Sequence, residues 1–280
     1  MIAFNKDKIP KVQLSTGQIA SLVHANWEDD NCAVKFNAYL SIDDLTNSTF
    51  FHNSRLLLNT LIQLKKENTA TVKGNLSRKI VRELFDKIII GKQEKLVIEK
   101  INKVLNEEDI LQIHLVRIIC ELAGIIHIRK RKVLVKEKYT ELLKNENAGN
   151  LFFLLFYTYF KKFNLGYVDN FSSLDCIQNT ISYSLYQLSR IADKPVNIKE
   201  LKNHLLLPYV VEEIEANRKM RSDFDEHSWL VEARIVKPLE QFGLLKCSYA
   251  KEDKYSLRRK TVCKTALFDR FIGFEVLTKL

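Results

Sequence analysis

A chain of 280 residues with 46% hydrophobic content is long enough for one large domain or two ordinary ones, each with its own core, which excludes a disordered tail. Its 44 Lys and Arg against 34 Asp and Glu leave a formal net charge of +10, a balance that favours polyanionic partners but is diluted by the acidic residues and is also what an A/T-rich genome produces. Five scattered cysteines (Cys32, Cys120, Cys176, Cys247 and Cys263) with no CxxC pair exclude a disulfide framework and read as reduced thiols of a cytoplasmic protein.

The N-terminus, MIAFNKDKIPKVQLSTGQ, has neither the apolar stretch nor the cleavage site of a signal peptide. Residues 1–50 are expected to be an N-terminal extension, with Ser15 or Thr16 capping a short helix through Ile19, Leu22 and Val23. From Arg55 a helical period sets in, with Leu56, Leu57, Leu61 and Leu64 on one face. A short β-like piece, Ala70 to Val72, leads to Gly74 and to Asn75 as the cap of the next helix, which places Leu76, Ile80, Val81, Leu84, Phe85 and Ile88 on its buried half. Helices over 94–105 and 107–123 follow, then a hairpin, and Tyr139 to Leu143 closes a first domain over 51–148.

The polar segment 146–150, ENAGN, marks the boundary to a second domain over 149–280. Its aromatic first helix, Leu151 to Phe160, is about half the ~20 residues needed to span a bilayer and stops at Lys161 and Lys162, so no membrane partner is expected. A helix over 176–192, a shorter one over 198–207 and an acidic insertion over 212–226 come next. Ser228 then caps a further helix, a hairpin follows, and a helix over 266–276 ends the chain.

One pattern occurs twice. Leu115, Ile118, Ile119 and Leu122 lead to Gly124, Ile125 and Ile126 and a hairpin; Val231, Ile235, Leu239 and Phe242 lead to Gly243, Leu244 and Leu245 and another. A helix running through a glycine into a small hairpin is the distal half of a winged helix-turn-helix. The expected fold class is therefore mainly α with small β-hairpins, in tandem winged-helix-like units.

In such a unit the helix before the hairpin would enter a major groove and the hairpin would touch phosphate or the minor groove. The first helix offers only a narrow polar stripe of His114, Arg117 and Glu121, but its hairpin gathers Arg129, Lys130, Arg131 and Lys132. These four are candidates for phosphate contact, or alternatively guards of a short edge strand. The second helix puts Arg234, Lys237 and Gln241 on one face, and its hairpin carries Arg258, Arg259 and Lys260, which completes the candidate nucleic-acid-binding set. A solvated face of mixed charge, with Glu232 and Glu240 alongside, accounts for the same helix residues.

No catalytic set, metal site or cofactor is expected. The six histidines lack zinc spacing, and no GxGxxG, Walker A or GxSxG segment occurs. The carboxylates of the insertion are interleaved with Arg218, Lys219 and Arg221, which leaves metal-dependent nuclease chemistry as a minor alternative.

TVKGNLSRKIVRELF (71–85), AGIIHIRKRKVLVKEKYTELL (123–143), ISYSLYQLSRIAD (181–193) and the closing KTALFDRFIGFEV resemble an uncharacterised bacterial family, roughly over residues 50–280. The resemblance implies structural signatures with no catalytic residues to transfer, and its occasional fusion to a domain of plasmid- and transposon-borne proteins implies a DNA-related role. The expected function is thus a non-enzymatic DNA-binding or regulatory protein acting on double-stranded DNA. The alternative is an interaction scaffold whose winged helices pack on a protein partner or on each other.

Overall fold

The computed structural model describes residues 13–64, 68–169, 174–217, 224–251 and 257–276. It is mainly helical, with small antiparallel sheets of two or three strands. The described chain starts with helix α1 (Thr16–Val23), where Ser15 Oγ accepts from the Gln18 amide at 3.3 Å and Gln18 Oε1 accepts from the Ser15 amide at 2.8 Å. That reciprocal pair satisfies amides the first turn leaves free. Strand β1 (Val34–Phe36) follows. The chain forms two compact units: a first of Phe36–Leu165 with Leu239–Leu244, and a second of Met1–Lys35, Gly166–Pro238 and Leu245–Leu280.

The first unit holds α2 (Thr49–Leu64), α3 (Arg78–Lys87), α4 (Lys92–Ile101), α5 (Leu111–Leu122), a hairpin of β2 (Ile126–Arg129) and β3 (Lys132–Val135), and α6 (Ala148–Tyr157), which runs on as a π-turn, Thr158–Lys162. Helices α2, α3 and α5 pack on one another, and α3 buries Ile80, Val81, Leu84 and Phe85 as its period predicts. The chain between α2 and α3 returns to the hairpin: Thr69 bridges Lys132, and the Ala70 amide donates to the Arg131 carbonyl at 2.8 Å. Around the fully buried Phe242, Phe50 stacks at a centroid distance of 4.7 Å while Phe152 and Phe156 meet the ring edge-on at 5.6 and 5.2 Å.

The second unit continues with α7 (Asp175–Asn179), α8 (Ile181–Ile191), β4 (Val196–Asn197), α9 (Ile198–Leu205) and α10 (Pro208–Ala216). Next come α11 (Glu226–Val231), a π-turn at Glu232–Val236, and α12 (Lys237–Gln241), whose last residues count with the first unit. The wider π-turn stands directly before Pro238, whose ring nitrogen has no hydrogen to donate back along the helix. Strands β5 (Leu245–Lys251) and β6 (Leu257–Lys264), helix α13 (Ala266–Phe271) and strand β7 (Ile272–Phe274) complete it. β6 is central in the order β4-β6-β5, and β7 pairs with β1.

The repeat is deeper than a helix and a hairpin. Both copies run helix, bridging strand, helix, additional helix, helix, glycine, hairpin: α2 to β3 in the first, α8 to β6 in the second. In both, the bridging strand pairs with the second strand of the hairpin. Both pre-hairpin helices end alike, with Gly124 at φ 74° and Gly243 at φ 76°. Ile125 donates to Cys120 and Leu244 to Leu239, each at 2.9 Å, and each glycine amide donates to the carbonyl three residues back. This closure needs a left-handed residue just past the helix, which glycine supplies without strain.

Several expectations are corrected. ENAGN is not a boundary: Ala148 and Gly149 form the buried first turn of α6, and the chain stays in the first unit to Leu165. Residues 1–50 are no separate extension, since the chain up to Lys35 counts with the second unit, where buried Trp27 donates to Ser182 Oγ at 2.9 Å, and 36–50 count with the first. Ser77 rather than Asn75 precedes α3, while Asn75 donates to Glu108 at 2.9 Å. Asp225 rather than Ser228 caps α11, accepting from the Ser228 amide. The closing helix stops at Phe271 because 272–274 are used as a strand.

Candidate nucleic-acid interface

The first hairpin reverses in two residues, Lys130 at φ 48° and Arg131 at φ 58°. Consecutive left-handed residues define the hairpin turn whose twist matches the strands, and Asn-Gly is its usual occupant because other side chains are strained there. Arg129 and Lys132 face each other in the ladder, a repulsive pairing of like charges. Arg129, Lys130 and Arg131 are exposed and Lys132 is half-buried; among the described residues none of the four is in an ion pair.

A second turn lies beside this tip. Thr71 to Gly74 closes with the Gly74 amide donating to the Thr71 carbonyl at 3.0 Å, and a Cβ on Gly74 would stand 3.3 Å from Ile128 Cδ1. Because Thr69 pairs with Lys132 and Ala70 with Arg131, the strand runs toward the tip, which brings exposed Lys73 to the same edge. Lys73 is missed when the sequence is read linearly; the one hint is a glycine directly after it in a turn.

The polar stripe on α5 does not face solvent. Glu107, its side chain sealed from water, accepts from Arg117 Nε at 2.6 Å and from the Leu76 amide at 2.5 Å, and lies 2.7 Å from His114 Nδ1; Arg117 also donates to Glu121 at 2.5 Å. A carboxylate with those partners is a structural clasp between the turn before α3 and the α5 helix. Leu122 is the one exposed residue of α5.

The second helix is covered as well. No residue from 226 to 241 is exposed. Arg234 is 2% exposed and holds Asp169 through two hydrogen bonds at 2.7 and 3.1 Å, so its guanidinium is not available to bases. Lys237 and Gln241 are half-buried, and the Gln241 carbonyl accepts from Thr49 Oγ1 at 3.3 Å. The expected cationic groove-reading face is therefore corrected: the position that looked most like a reader is an internal ion pair.

On the second hairpin, Arg259 donates to Glu232 at 3.0 Å and lies over the Tyr249 ring at 5.5 Å, whereas Lys260 is exposed. The side chain of Arg258 lies outside the described residues. The structure thus brings Arg129, Lys130, Arg131 and Lys132 together on one edge with Lys73, and does not bring the other candidates onto an open surface with one another. The carboxylates near the insertion have local duties: Asp225 caps α11 and holds Lys202 at 2.8 Å, and Glu215 lies 3.4 Å from His227. Among the described residues, no three His, Cys, Asp or Glu side chains stand close enough to hold a metal ion, and no helix is long and apolar enough to cross a membrane.

No curated protein and no solved structure matches the chain. A family model does: residues 46–148, which span the whole first copy from α2 through the basic hairpin, are similar to the Y4jL N-terminal domain.

Proposed function

We propose that this is a non-enzymatic, winged-helix-like DNA-binding protein that engages duplex phosphates with the hairpin edge at 129–132. The observation that carries this reading is the tip itself. Two cations occupy left-handed backbone positions, two more oppose each other across the ladder, and no acid within the fold offsets them. Strain and repulsion kept at an exposed site point to a ligand that relieves them. A polyanion does so, and the net charge of +10 adds long-range attraction. Edge protection explains the tip less well, because the outer edge of β3 is already occupied by residues 68–70.

Titrating duplex binding against salt tests the proposal. Each neutralised phosphate contributes a log–log slope of about −0.9, so losing Arg129 and Arg131 to alanine should flatten the slope by roughly two units of phosphate contact. Absence of binding at low salt would sink it.

A second reading has its own support. With no residue of 226–241 exposed and only Leu122 exposed on α5, both pre-hairpin helices are packing elements. This favours a scaffold whose winged helices serve protein contact, including self-association; a concentration-independent oligomer in sedimentation would support it.

A further inference from the structure

The chemistry of the basic edge says which groove it fits. Resting on the DNA reading above, we infer that the 130–131 tip enters the minor groove of duplex DNA and selects narrow, A·T-rich tracts, with Arg129, Lys132 and Lys73 on the bordering phosphates. The side chains at this edge, Lys73, Arg129, Lys130, Arg131 and Lys132, carry only hydrogen-bond donors. A·T pairs present only acceptors in the minor groove, adenine N3 and thymine O2, whereas G·C pairs add the guanine amino donor. A donor-only tip is satisfied by the first and opposed by the second. Narrow A-tract grooves also concentrate negative potential, which rewards inserted Lys and Arg.

Shape agrees with charge. The tip is a two-residue reversal, the slimmest a hairpin makes, and its backbone is pinned on one side by the Ala70 amide on the Arg131 carbonyl. Neither pre-hairpin helix offers an exposed face for the major groove, so readout falls to this edge. A wider basic patch without such a turn would contact phosphates and carry no base preference.

The test uses the full chain and two labelled duplexes of equal length, one an A·T tract and one G·C-only, titrated at several salt concentrations. The expected result is about tenfold tighter binding to the A·T duplex, in the range of a base-pair discrimination. Lys130→Asn with Arg131→Gly keeps a turn-compatible backbone and removes both apical donors; it should equalise the two duplexes. Lys130→Gln with Arg131→Gln serves as a second pair should the first refold differently by circular dichroism. Equal affinity of the natural protein for both duplexes, with a steep salt slope, overturns the groove assignment and leaves phosphate binding standing. Preference kept by both variant pairs overturns it at this tip. No binding to either duplex at low salt overturns the DNA reading and this inference together.

Discussion

Arg234 and Asp169 form a two-pronged ion pair, Nε to Oδ2 at 2.7 Å and Nη2 to Oδ1 at 3.1 Å, with both side chains almost wholly shielded from water. Removing one partner leaves the other charge buried, which costs about 3–5 kcal/mol. Arg234→Ala should therefore lower the urea midpoint sharply, and Arg234→Lys should not restore it, because an ammonium cannot reproduce the planar fork. Duplex affinity per folded molecule should stay unchanged. A stable Arg234→Ala protein with weakened DNA binding would return this residue to the interface.

The contrast between Arg234 and Arg131 shows what could be read from the sequence. Period, glycine and hairpin are local, so the order of elements in each copy was legible, as was the basic tip. Whether a polar helix face meets water is decided by distant partners. Arg234 finds Asp169, 65 positions away, and Glu107 closes over His114 and Arg117, so faces that look solvated are internal. The break at ENAGN misled for the same reason. A polar, glycine-containing segment reads as a linker, but here it starts a helix whose Phe152 and Phe156 pack against Phe242.

Glu107 is the centre of the first copy's clasp, so its substitution should be more harmful than that of any exposed acid. Glu107→Ala strips three neighbours of their acceptor, the Leu76 amide, His114 and Arg117, and leaves the Arg117 charge poorly compensated. A loss of about 3–5 kcal/mol is expected in chemical denaturation. Glu108→Ala, at an exposed position with one hydrogen bond to Asn75, should stay within about 1 kcal/mol.

The two hairpin glycines share a conformation but not a neighbourhood, which predicts unequal costs. Alanine in a left-handed position is strained by about 1–2 kcal/mol at either site. At Gly124 the new methyl would meet only Lys136 Nζ and Tyr139 Oη at 3.7 Å, both ends of flexible side chains. At Gly243 it would press on the Asn47 and Ser48 backbone at 3.0 Å. Gly243→Ala should therefore shift the thermal midpoint further down than Gly124→Ala; equal shifts would mean that the backbone at 47–48 gives way.

The strain at the basic tip is measurable without any DNA. Lys130→Asn with Arg131→Gly supplies the residues this turn prefers and removes two cations from a repulsive cluster. Stability should rise by about 1–2 kcal/mol in urea denaturation at low salt. Part of that gain should shrink at high salt as the repulsion is screened. A destabilised variant would show that the Lys130 and Arg131 side chains hold the hairpin by contacts of their own.

Cys120 links burial to pH. Burial pushes its thiol up to about 12, with Ser54 and Arg117 pulling weakly the other way. The protonated form is thus the one the fold accepts. Its contribution to stability is complete below the unfolded thiol's pKa, about 8.5, and is lost as pH rises toward the folded value. Between those limits the unfolded chain releases a proton that the folded chain keeps, and stability should fall by up to about 1.4 kcal/mol per pH unit from this group. Cys176 is also raised to about 12, by burial and by Glu213, so Cys120→Ala should reduce the alkaline slope and not abolish it. Thiol labelling gives the kinetic counterpart: half-buried Cys247 and Cys263 should react in the native protein, and Cys120 only at the rate of unfolding. Rapid native labelling of Cys120 would contradict its sealed position on α5.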